Sequence, residues 1–223
     1  MLVYILGAIF LMGLLVVLVK GATTPGGGVD AETTVLNASE AQRYAAEIER
    51  AVAIILENGH SEADIRFSHA NAPSAYQTTM DDPTTRQVFH PRGGAANVRA
   101  PPVGVNDGTA WQFYGNTHIT DMGTDTETDR KAELIMVLPN VTAQFCNRIN
   151  EMNDQDLDIV NDIQDPADDG CIFAPGSEFT GTFITGGNAN VPDFTLFKHN
   201  PASQACIRCN GGGLHFYHVL MPR

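Results

Sequence analysis

Hydrophobic and polar positions follow three rhythms along this chain. From Met1 to Val19 there is none: every residue is apolar or glycine, and Tyr4 carries the only polar side-chain group. Such a run predicts a helix of about 28 Å, close to the hydrocarbon thickness of a bilayer. A surface that apolar must be buried in lipid or against copies of itself. Lys20 ends the run, and Gly21, Pro25, Gly26, Gly27 and Gly28 then favour irregular backbone, predicting a hinge over 21–29.

The second rhythm is helical. Val35, Ala38, Ala41, Ala45, Ile48, Val52, Ile55 and Leu56 recur at intervals of three and four, with Glu40, Arg43, Glu47, Glu49, Arg50 and Glu57 mostly between them. Asp30 is a suitable N-cap and Asn58-Gly59 a suitable stop. One amphipathic helix over about 30–58 is predicted, the spine for a sheet.

From Asp64 onward the pattern shortens and alternates. Strands are expected at 64–67, 86–89, 110–114, 134–138, 171–173, 181–184 and 194–197, separated by segments rich in Pro, Gly, Asn and Asp. Residues 140–152 read as a short helix with Val141, Phe145 and Ile149 on one face, and 205–209 with 214–220 as a hairpin. The fold class is therefore α+β: an apolar N-terminal helix (1–20), a Gly/Pro hinge (21–29) and one head domain (30–223), whose amphipathic helix packs on a mostly antiparallel sheet.

Charge narrows the function. A formal net charge of −13 opposes nucleic acid and anionic membrane surfaces, so no nucleic-acid contact is predicted. Lys20 follows the apolar run and no positive residue precedes it, which would hold the head in the cytoplasm. Four cysteines and the sequons at Asn37 and Asn140 favour export instead. A short basic leader cut off ahead of Met1 would reconcile the two.

The chemistry-bearing candidates are few. Cys206-x-x-Cys209 with His215 and His218 has the residue types of a tetrahedral zinc site, but two histidines three apart on a strand face opposite sides. A Cys206–Cys209 disulfide with Cys146–Cys171 as the second bridge is preferred, and other pairings of the four remain open. Asp121, Asp125, Glu127 and Asp129, and Asp154, Asp156 and Asp158, carry hard oxygen ligands; neither set has EF-hand spacing, and both read as solvated acidic loops. There is no nucleophile elbow, P-loop, HExxH or dinucleotide fingerprint, so no catalytic residue, cofactor or metal ligand is assigned and the chain is not expected to be an enzyme.

The stretch Met1-Leu2-Val3-Tyr4-Ile5-Leu6-Gly7-Ala8-Ile9, followed by hinge and amphipathic helix, resembles the mature N-terminus of type IV pilin-like and pseudopilin-like proteins. RQVFHP, LPNVT-x-x-FC and HFYHVL likewise resemble motifs of a proteobacterial pilin-like group. Type IV pilins usually carry phenylalanine and glutamate where this chain has Met1 and Ile5. The resemblance implies a structural subunit of an extracellular pilus-like filament, a helical polymer of this chain, held in the inner membrane before assembly. It implies a prepilin peptidase and pilus assembly machinery as partners. Met1, Tyr4, Ile5, Gly7, Ala8, Phe10, Gly13, Leu14 and Val17 would line the filament-core helix, the small residues permitting close approach. Two other functions fit the sequence: a minor pseudopilin of a secretion system, and a membrane-anchored periplasmic metal-binding or enzymatic domain.

Overall fold

The structure is a computed structural model that describes residues 28–123, 130–155, 176–186, 189, 197–209 and 212–223. The expected filament-core helix, most of the hinge, and the strands expected at 171–173 and 194–196 lie outside the described residues. Among the described residues no helix is long and apolar enough to cross a membrane.

Helix α1 spans Gly28–Glu57, about 45 Å. It begins two residues ahead of Asp30, so Gly28 belongs to its first turn and not to the hinge, and Asp30 is an acidic residue of that turn, where the helix dipole favours it. Ala38, Ala41, Ala45, Ile48, Val52 and Ile55 are fully or almost fully buried, as the periodicity requires, whereas Asp30 to Thr33 are exposed. The helix closes with a paired cap: the amide of Gly59 (φ +84°) donates to Leu56 O at 2.9 Å and that of His60 to Ile55 O at 3.4 Å.

The sheet has four antiparallel strands in the order β1-β2-β4-β3, with β1 Gln112–Thr117, β2 Glu133–Leu138, β3 Gln204–Arg208 and β4 Leu214–Met221. The β3–β4 hairpin pairs Cys206 with Phe216. Central strand β2 is buried at all six positions, which is why its sequence is continuously apolar after Glu133. Leu134, Met136, Leu138, Phe216 and Leu220 face the helices, and Ile135, Val137, Tyr217 and Val219 form a second cluster with Tyr114 and Ile207 on the other face.

Helix α2, Ala143–Met152, lies beside α1 on the helical face. It starts three residues later than the pattern suggests, because Asn140 has φ +54° and Thr142 is the N-cap, its hydroxyl accepting from the Phe145 amide. The segments 64–67 and 86–89 do not become strands. They share one parallel bridge, Arg66 with Gln87, because short 3-10 turns (Glu62–Asp64, Thr84–Arg86) stop each from extending. Residues 181–184 form no strand either, although the amide of Ile184 donates to Gly115 O at 2.8 Å beside β1.

Candidate functional site

The cysteine–histidine constellation is dispersed by strand geometry. Cys206 lies on the helical face of β3, and Cys209, three positions on, belongs to the opposite cluster. Cys206 is bonded to Cys146 of α2, with Cα atoms 5.2 Å apart, so the expected Cys206–Cys209 and Cys146–Cys171 pairing is corrected. Residue 146 is on the buried face of a helix that packs against that side of β3, whereas the side chain of Cys209 leaves from the other side. Cys209 is also disulfide-bonded, and Cys171 lies outside the described residues. The 60-residue separation closed by Cys146–Cys206 corresponds to about 4 kcal/mol in the chain-entropy treatment.

The histidines divide in the same way. His215 is buried on the far face, and its Nδ1 accepts from the Asn140 amide at 3.3 Å. Burial lowers its pKa to about 4, so the ring is neutral at pH 7. His218 lies on the helical face, its Nε2 2.9 Å from Glu49 Oε2 of α1 and its Nδ1 3.2 Å from Gln204 Oε1. No group of three metal-ligating side chains forms among the described residues. Of the acidic loops, Asp125, Glu127, Asp129, Asp156 and Asp158 lie outside them; Asp121 is exposed, and Asp154 pairs with Lys198 Nζ at 2.8 Å and His199 Nε2 at 2.9 Å.

One buried acid was not singled out from the sequence. Glu133 is fully buried, its Oε2 accepts from the Ile119 amide at 2.7 Å, and His118 Nδ1 lies 3.9 Å from Oε1. His118 is only 4% exposed, so the pair is closed to solvent and supports the turn after β1. Its signal is a lone acid heading an apolar run, which charge patterning alone reads as a strand end.

The outer strands of the sheet are bonded by side chains from the neighbouring helices. An outer strand offers unpaired amides and carbonyls to any incoming strand. On β3, the outward groups of Cys206 are both taken by the side chain of Asn150: Nδ2 donates to Cys206 O at 2.9 Å, and Cys206 N donates to Oδ1 at 2.8 Å. A helix amide thus substitutes for a neighbouring peptide group. On β1, Tyr76 does the same for Phe113, its hydroxyl accepting from the amide at 2.7 Å and donating to the carbonyl at 3.1 Å. The Phe179 and Ile184 amides add bonds to that edge at Phe113 O and Gly115 O, each at 2.8 Å. Gly115 is needed there, since a Cβ would come within 2.7 Å of Phe179 Cδ2.

No protein-family model, curated protein or solved structure matches the chain.

Away from the sheet edges, apolar side chains are exposed beside the start of α1. Leu36 on α1 is 63% exposed, and Val103 is 95% exposed beside it, its carbonyl accepting from Asn37 Nδ2 at 3.4 Å. A groove of about 370 Å³ runs between the start of α1 and the length of α2, bordered by Asp30, Ala31, Val35, Gln144, Arg148 and Glu151. Its α1 residues lie immediately downstream of the apolar run 1–19 and its hinge. The expected filament-core positions Met1, Tyr4, Ile5, Gly7, Ala8, Phe10, Gly13, Leu14 and Val17, and the hinge positions Gly21, Pro25, Gly26 and Gly27, lie outside the described residues.

Proposed function

We propose that the chain is a structural subunit that polymerises into an extracellular pilus-like filament through its apolar N-terminal region, with the head domain outside. The observation that carries this reading is the run of nineteen uncharged, mostly aliphatic residues 1–19, in a chain whose outer strands are already bonded by Asn150 at Cys206 and by Tyr76 at Phe113. Strand addition at these edges would have to displace those bonds, which favours polymerisation by another route. The chain's most apolar stretch is residues 1–19, and α1, buried against the sheet from Ala38 onward, is the element of the head that follows it in sequence.

Moving residues 1–19 from lipid into a bundle of identical helices exchanges one apolar surrounding for another, so assembly depends on close helix packing and on a dedicated machine. The acidic head keeps the polymer soluble. The test is electron microscopy and mass spectrometry of material sheared from cells that produce the chain with its matched assembly apparatus. Long filaments composed of this chain are expected. A processed chain that stays monomeric in the membrane beside that apparatus overturns the proposal, and a chain found only at filament tips makes it a minor pseudopilin.

A further inference from the structure

Four separate segments bring five aromatic rings to one cleft of about 350 Å³ on the head: Tyr44 from α1, His69 after the first bridge, Phe89 from the following turn, and Trp111 and Phe113 at the start of β1. The rings are mutually packed. Tyr44 and Trp111 have centroids 5.4 Å apart, Phe89 and Phe113 6.1 Å, and His69 meets Phe89 edge-on at 5.1 Å. The volume is in the range of small-molecule sites, which are mostly apolar with a few placed polar groups.

The charge in the wall comes from Arg99. Its guanidinium lies 5.6 Å from the Tyr44 ring centroid and is held by one contact, Nη2 to Glu47 Oε2 at 2.7 Å. Glu47 is itself fixed by the Asn97 amide at 3.0 Å, so it orients the guanidinium while the remaining N–H donors of Arg99 have no hydrogen-bond partner among the described residues. None of the described residues lining the cleft is acidic, although Glu47 pairs with Arg99 beside it, and burial lowers the His69 pKa, which disfavours a charged ring. In the same wall the buried Nε1–H of Trp111 lacks an acceptor among the described residues. Aromatic rings and one cation that keeps planar donors to spare beyond its pairing with Glu47 are the complement of a ring that carries a carboxylate.

We propose that this cleft is a binding site for a small aromatic carboxylate, its ring against Phe89 and Trp111 and its carboxylate on Arg99.

Trp111 is the single tryptophan of the chain, so its fluorescence reports on this wall alone. The experiment titrates the full-length protein in detergent with phenylacetate, with benzyl alcohol (ring, no anion) and with acetate (anion, no ring). A saturable change with phenylacetate is expected, at least tenfold tighter than with benzyl alcohol and absent with acetate. Arg99→Gln should weaken phenylacetate about tenfold or more and leave benzyl alcohol unchanged, and Arg99→Lys should fall between. The indole N–H resonance, followed by NMR, checks that each variant is folded and should shift with phenylacetate. Equal binding of phenylacetate and benzyl alcohol overturns the role of Arg99. No saturable response from either, in fluorescence or at the indole N–H, overturns the site.

Discussion

Replacing Asn150 tests the closure of the β3 edge. Its side chain is 2% exposed and makes two hydrogen bonds, at 2.9 and 2.8 Å, to the carbonyl and amide of Cys206. Each bond contributes about 1 kcal/mol net, but removing the amide strands two buried peptide groups, at about 1–3 kcal/mol apiece. Asn150→Leu keeps the side-chain volume close to native and removes both partners, so it isolates the polar contribution from packing. The expected loss is about 3 kcal/mol, or a fall of about 1.5 M in the urea midpoint for a chain of this size. The assay is urea unfolding of the full-length protein in detergent with the disulfides intact, followed by Trp111 fluorescence. Asn150→Ala should cost at least as much, since it adds a cavity. A midpoint for Asn150→Leu within about 0.5 kcal/mol of the native protein would refute the reasoning, because the Cys206 groups would then have found other partners.

Three further outcomes follow from other parts of the structure. Tyr76→Phe removes only the hydroxyl that bridges the Phe113 amide and carbonyl, and should cost about 1–3 kcal/mol by the same urea assay; an unchanged midpoint would mean that the β1 edge is closed by the 176–186 segment alone. Peptide mapping under non-reducing conditions should recover Cys146 linked to Cys206, and a Cys206–Cys209 peptide would contradict the fold around α2. The buried, neutral His215 has a folded pKa near 4 against an ordinary value of 6.5, so its contribution is present above pH 6.5 and is lost as pH falls from 6.5 towards 4, by up to about 3 kcal/mol. His215→Gln should flatten the dependence of the urea midpoint on pH in that window; a slope identical to the native one would contradict the burial.

Elements defined by local periodicity were readable in the chain. The α1 stripe from Ala38 to Ile55, the apolar run of β2 and the β3–β4 hairpin around its glycine turn all appear where the pattern places them. So does the separation of His215 from His218, which follows from strand alternation alone. What depends on tertiary juxtaposition was not readable. The partner of Cys206 depends on which face of β3 meets α2, and Asn150 and Tyr76 look like ordinary polar residues of short helices until an edge strand lies beside them. The residues 64–67 and 86–89 have strand composition, but flanking 3-10 turns leave each only one bridge. Arg99 and Trp111 are twelve residues apart in the sequence, and neither has a local pattern that marks the cleft they share with Tyr44.

The central claim is that residues 1–19 meet their counterparts from other copies. A photo-crosslinking amino acid placed at Phe10, in cells carrying the assembly apparatus, tests it most directly. Illumination of sheared surface material should yield ladders of this chain joined through position 10, while the same group at exposed Met80 of the head gives few or none joined to position 10. Adducts of position 10 with lipid or detergent only, and no crosslinked multimers, would contradict the account.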